Sequence, residues 1–154
     1  MIIQSSVLGE VEIEAEKAVK FTQGMPGFED TTSFVLLQPD PSLPFTYMQS
    51  LDQAEVVFLL ADPFVFSPEY DLRLSEDTVE ELQIKGEQDV QVWSVVTLRE
   101  SIETATMNLL APVVINVREK LGRQVVLTSS NYSTRQLLSP AASREETKST
   151  GDGA

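Results

Sequence analysis

Val90-Gln91-Val92-Trp93-Ser94-Val95-Val96-Thr97-Leu98 decides the class of fold. β-Branched and aromatic side chains dominate it. They lose χ1 freedom in a helix and pack well on a pleated surface, so this stretch is read as a strand. Upstream, Val56-Val57-Phe58-Leu59-Leu60-Ala61 reads as a strand buried on both faces, halted by Asp62-Pro63. Phe34-Val35-Leu36-Leu37 and Phe45-Thr46-Tyr47-Met48 are short β runs parted by the turn formers Pro39-Asp40-Pro41-Ser42. Downstream, residues 112–117 and 124–128 flank a polar turn containing Gly122 and read as a hairpin. Near the start, Val7, Val11 and Ile13 alternate with Glu10, Glu12 and Glu14 across Gly9, a period-two pattern. Short strands parted by turns at roughly ten-residue intervals predict an all-β, mainly antiparallel, small barrel-like domain.

Helix is a minor component of this reading. In Ser75-Glu76-Asp77-Thr78-Val79-Glu80-Glu81-Leu82, Ser75 or Asp77 can cap the first turn, and early acids suit the positive end of the helix dipole. A second helical turn is weakly signalled over residues 98–103. From Ser139 the chain turns to Ser, Thr, Ala, Glu, Lys and Gly. Such a segment cannot bury enough apolar area to offset its chain entropy. The expected organisation is one domain over 1–138 and a disordered tail over 139–154.

Composition narrows the chemistry. Twenty-four acids against eleven bases give a formal charge of −13. That field repels phosphate backbones and anionic membranes, and suits steering toward a basic protein. The chain has no Cys and no His, which removes disulfides, thiolate chemistry, the usual neutral-pH base and the commonest metal ligand. No phosphate-binding glycine loop or metal-spaced cluster is present, and no cofactor is expected. The first residues lack a basic stretch followed by an apolar one, and the apolar runs are too short to span a bilayer, so a cytoplasmic protein is expected.

Residues 69–89 hold eight acids against Arg73 and Lys85, a net charge of −6. The paired acids Glu76/Asp77 and Glu80/Glu81 could do acid–base work, but on a short polar helix they more simply form a solvated face. Gly24-Met25-Pro26-Gly27-Phe28-Glu29 is a compact turn whose glycines supply positive φ and whose Phe28 can fold back as an anchor. Tyr70, Asn108, Asn116 and Tyr132 read as satisfied polar residues near strand ends.

An ordered series of motifs then resembles the flagellar assembly factor family (FliW). It runs Phe21-Thr22-Gln23-Gly24-Met25-Pro26-Gly27-Phe28-Glu29, Pro44-Phe45-Thr46-Tyr47-Met48-Gln49-Ser50, Ala61-Asp62-Pro63-Phe64 and Pro68-Glu69-Tyr70. It continues through Met107-Asn108-Leu109-Leu110-Ala111-Pro112-Val113-Val114-Ile115-Asn116, Gln124-Val125-Val126-Leu127 and Asn131-Tyr132-Ser133-Thr134-Arg135, covering about residues 2–136. The resemblance implies a small β barrel without enzymatic activity and two partners, flagellin and the RNA-binding translational regulator CsrA. In that family the factor binds CsrA and stops it repressing flagellin translation, by an effect the resemblance suggests is allosteric. Newly made flagellin competes for the factor, and export of flagellin frees it.

Given these implied partners, the charge of the acidic segment suits the basic CsrA, so CsrA contact is expected there, at Glu69, Asp71, Glu76, Asp77, Glu80 and Glu81. Flagellin's amphipathic terminal segments need an apolar dock, for which Phe28, Phe64, Phe66 and Tyr70 are the candidates. Two other readings stand beside this one: an export chaperone that binds flagellin alone, and a carboxylate-dependent hydrolase on a β barrel.

Overall fold

Alternation along the strands sorts the apolar side chains onto two faces, and the sheet rolls up around one of them. The computed structural model describes residues 1–128 and 130–138. Its strands are β1 (Ile2–Ser5), β2 (Gly9–Glu12), β3 (Val19–Lys20), β4 (Ser33–Leu37), β5 (Phe45–Ser50) and β6 (Val57–Ala61). They continue as β7 (Val90–Thr97), β8 (Thr106–Met107), β9 (Val113–Asn116), β10 (Leu121–Gln124) and β11 (Gln136–Leu137). Two short helices, α1 (Pro63–Phe66) and α2 (Glu76–Glu81), interrupt the series. The order β7-β6-β5-β4-β3-β10-β9 closes through a β9–β7 pairing, giving a seven-stranded barrel. Every contact in that ring is antiparallel except β3–β10. The mostly antiparallel barrel predicted from the sequence is the fold found.

Inward-facing residues form one core cluster: Val19, Phe34, Met48, Leu60, Val113 and Ile115, joined at one end by Phe21 and Met25. The opposite face of β6, β7 and β9 is not bare. Val114, Val96 and Ala61 pack outward beneath Tyr70, Leu82, Leu109, Leu127 and Leu138, forming a second cluster under the segments after β6 and β10. A third, smaller cluster seats the β1–β2 hairpin, through Ile3 and Ile13, on Val35 of β4.

Several details differ from the sequence reading. The second arm of the 112–128 hairpin is Leu121–Gln124 rather than residues 124–128, and Gly122 lies within that strand, not in the turn. The turn itself is built by Asn116, whose Oδ1 accepts the N–H groups of Arg118 and Glu119, with Lys120 at φ 60°. Gly122 is needed where it sits because a Cβ there would lie 2.5 Å from the ring of buried Phe21. Val57, Phe58 and Leu59 are only half-buried, so β6 is not covered throughout. Asp62-Pro63 ends β6 as read from the sequence, but helix α1 was missed: Asp62 also caps it by accepting the Phe64 N–H at 3.0 Å, with Pro63 in the first turn. The helical turn expected over 98–103 is a 3₁₀ turn at Ile102–Thr104. Ser75 caps α2 as expected, accepting the Thr78 N–H at 3.2 Å. The tail expected over 139–154 lies outside the described residues.

Candidate functional site

Asp71-Leu72-Arg73-Leu74 alternates polar and apolar residues, and laid across the outer face of β7 it turns Leu72 and Leu74 toward the protein. Together with α2 it leaves a groove open above the strand. Leu72, Leu74, Val79, Ile84, Val90 and Val92 supply the apolar walls of this cavity of about 660 Å³, with Phe64 at one end and Asp71, Lys85 and Glu87 on the rim. Phe64 is 42% exposed and rests on Tyr70, ring centroids 5.6 Å apart. Tyr70 packs edge-on against Tyr132 at 4.7 Å. This stack fixes an exposed aromatic ring in place before any partner arrives, which lowers the ordering cost of binding.

The acids sort into two kinds. Glu69, Asp71, Glu76, Asp77, Glu80 and Glu87 are exposed. Glu81 and Asp89 are instead structural anchors. Glu81 accepts from Arg123 Nη1 at 2.6 Å and from Gln23 Nε2 at 2.9 Å, tying α2 to β10 and to the turn after β3. Asp89 is buried. The hydrogen bonds from Arg118, reinforced by the Lys85 N–H, hold its carboxyl below the usual carboxylate range. Fully buried Asn116 completes the latch, donating to Leu82 O at 2.7 Å and Gln83 O at 3.0 Å. The acidic segment is therefore pinned at its C-terminal end by the β9–β10 hairpin, with its free carboxylates outward.

The aromatic candidates separate as well. Phe28 is 42% exposed and stands edge-on to Phe58 at 5.5 Å, away from the groove lining. Phe66 is half-buried against Phe45 at 5.4 Å and belongs to the outer core cluster. Tyr70 is 4% exposed, and its hydroxyl donates to Leu109 O at 2.7 Å; burial pushes its pKa well up. Tyr70 thus supports Phe64 from beneath and presents little surface of its own. Tyr132 accepts the Asp71 N–H at 2.9 Å and Asn108 Oδ1 accepts from Leu110 and Ala111, so the expected roles of these residues as satisfied polar groups hold.

Sequence reading missed Leu72, Leu74, Val79, Ile84, Val90 and Val92 as groove walls, although the 71–74 alternation signalled the first two. It also missed Gln23, Arg118 and Arg123. Their carboxylate partners lie 58, 29 and 42 residues away in the chain, so no local pattern marks them.

Asp40, hydrogen-bonded by the Ser42 hydroxyl and N–H, is held like Asp89 below the usual carboxylate range. No cluster of His, Cys, Asp or Glu among the described residues is arranged to hold a metal ion. No helix among them is long and apolar enough to cross a membrane.

Comparison with known proteins converges on one family. The model of the family described as "FliW protein" matches residues 2–138. The flagellar assembly factor FliW of Geobacillus kaustophilus is 42% identical over 140 residues, covering 91% of this chain and 96% of that protein. The one from Desulfitobacterium hafniense (strain DSM 10664 / DCB-2) is 40% identical over 152 residues, covering 99% and 100%. A crystal structure of the flagellar assembly factor FliW superposes with a TM-score of 0.84 at 41% identity, covering 90% of this chain and 96% of that one. With its seven-stranded barrel, its pinned acidic segment and this run of relatives, the chain belongs to the FliW family of flagellar assembly factors.

Proposed function

We propose that the protein is a non-enzymatic, cytoplasmic regulator of flagellum assembly that binds flagellin and, alternatively, CsrA, relieving CsrA's repression of flagellin translation. The observation that supports this best is the groove between the acidic segment and β7. Its walls suit the apolar face of an amphipathic helix, and its surroundings carry the free carboxylates that favour a basic protein. The aromatic and acidic surfaces assigned above to different partners meet here, since Phe64 and Asp71 line one cavity. Two partners drawn to adjoining parts of one groove exclude each other, which is what a switch between them requires. Glu69, Asp71, Glu76, Asp77 and Glu80 are the proposed CsrA-facing charges and Phe64 the proposed flagellin anchor. Glu81 acts indirectly, by holding α2.

Calorimetry with each purified partner tests the proposal. Reversing Asp77 and Glu80 to Lys leaves the Glu81 latch intact and should weaken CsrA binding by about 1–3 kcal/mol, more at low salt than at high salt. Phe64→Ala should weaken flagellin binding by about 1–3 kcal/mol. Wild-type affinity of both variants for both partners would refute the groove as the site. Binding of flagellin with no binding of CsrA by the wild-type protein would leave the export-chaperone reading in its place.

A further inference from the structure

In a chain of net charge −13, three lysines converge on one end of the barrel. Lys17 closes the 3₁₀ turn Ala15–Lys17 that leads into β3. Lys120 ends the turn between β9 and β10, and its carbonyl accepts the Lys20 N–H at 2.9 Å. Among the described residues the ion pairs engage only Arg118 and Arg123, so none of the three ammonium groups is neutralised by a carboxylate. Lys120 Nζ instead donates to Val117 O at 2.7 Å. At this same end, buried Val19 and Ile115 of the inner core cluster, with the partly buried Leu36 and Val117 packed against it, line a cavity of about 410 Å³ with Lys17 and Lys120 beside them.

We propose that this mouth binds a small amphiphilic monoanion of the fatty-acid class, its alkyl chain against the half-buried Leu36 and Val117 and its head between Lys17 and Lys120. Barrel mouths with apolar walls and a few polar groups are favoured sites for small ligands. The size of the cavity and the overall charge select the ligand. A polyanion such as nucleic acid, or an acidic protein, meets the repulsion of the whole molecule at long range. A single small charge pays little of that repulsion and gains the local attraction of unpaired ammonium groups. Glu16 also lines the cavity and opposes a head carrying more than one charge. Gln91 Oε1 is engaged by Trp93 Nε1 at 3.1 Å, leaving its NH₂ as a further donor for the head.

The test is calorimetric titration of the full chain with sodium decanoate and, in parallel, with decyltrimethylammonium, which has the same tail and the opposite charge. Decanoate should bind at one saturable site with a Kd of about 1 mM or below, and the cation should not saturate. Lys17 is exposed, so Lys17→Glu should keep the fold, checked by circular dichroism, and weaken decanoate binding about tenfold or more. Should that variant misfold, Lys17→Ala should weaken binding in the same direction. No saturable decanoate binding, equal affinity of the folded Lys17 variant and wild type, or equal binding of the cation would each overturn the proposal.

Discussion

Arg118 grips Asp89 with two hydrogen bonds of 3.2 Å, Nε to one carboxylate oxygen and Nη2 to the other. Asp89 Oδ2 also accepts the Lys85 N–H at 3.1 Å, so one buried carboxylate joins the hairpin turn to the end of the acidic segment. All these bonds favour the ionised form, led by those from Arg118, and the folded pKa lies below the ordinary 3.8. A depressed folded pKa contributes stability that is complete above the unfolded value and is lost as pH falls through the folded one. The stability of the wild-type protein should therefore decline as pH drops below 3.8, and Asp89→Asn should remove that part of the decline. Urea titrations at about pH 6 and about pH 3 check this. An equal acid loss in wild type and variant would show that Asp89 does not carry the effect.

Gly122→Ala should destabilise the barrel by about 1–3 kcal/mol through overpacking, because the new methyl would stand 2.5 Å from the Phe21 ring in a filled interior. Phe21→Leu in the same chain should recover part of the Gly122→Ala penalty by making room. Denaturant midpoints of the two single variants and the double variant decide the matter. Strictly additive losses would mean the two residues do not compete for the same space.

Gly24 and Gly27 both have positive φ, at 65° and 85°, yet they should respond differently. A Cβ at Gly27 meets nothing within 4 Å, so Gly27→Ala should cost only backbone strain, about 1 kcal/mol. A Cβ at Gly24 would lie 2.7 Å from the Glu29 backbone, which cannot swing aside as a side chain can. Gly24→Ala should cost at least about 2 kcal/mol, from strain and clash together. Thermal melts of the two variants measure the contrast, and equal losses would contradict the turn geometry.

Long apolar runs were the legible part of the sequence. All of the 90–98 run but Leu98 falls in β7, and residues 45–48 fall in β5, because side-chain branching and alternation act locally. The two-residue strands β3, β8 and β11 left no trace, since a pair such as Val19-Lys20 has no period to detect. Gly122 was misread as a turn residue because its need for smallness comes from Phe21, distant in sequence. The acidic segment was visible as charge, but nothing local distinguishes Glu80, which is free, from Glu81, which Arg123 and Gln23 hold. The groove, too, appears only when residues 64–87 fold back over β7.

The barrel is closed unevenly. β5 and β6 are registered over five residue pairs, whereas β3 and β10 meet at one, Lys20 with Leu121. A rolled sheet with so short a clasp should unfasten there first, by a partial opening that costs less than unfolding the whole chain. Amide protons of β3 would then exchange with solvent through that opening, while those of β5 and β6 wait for the molecule to unfold. The unpaired lysines Lys17, Lys20 and Lys120 flank this clasp, so the end of the barrel that gathers positive charge is also the end where it is least firmly shut.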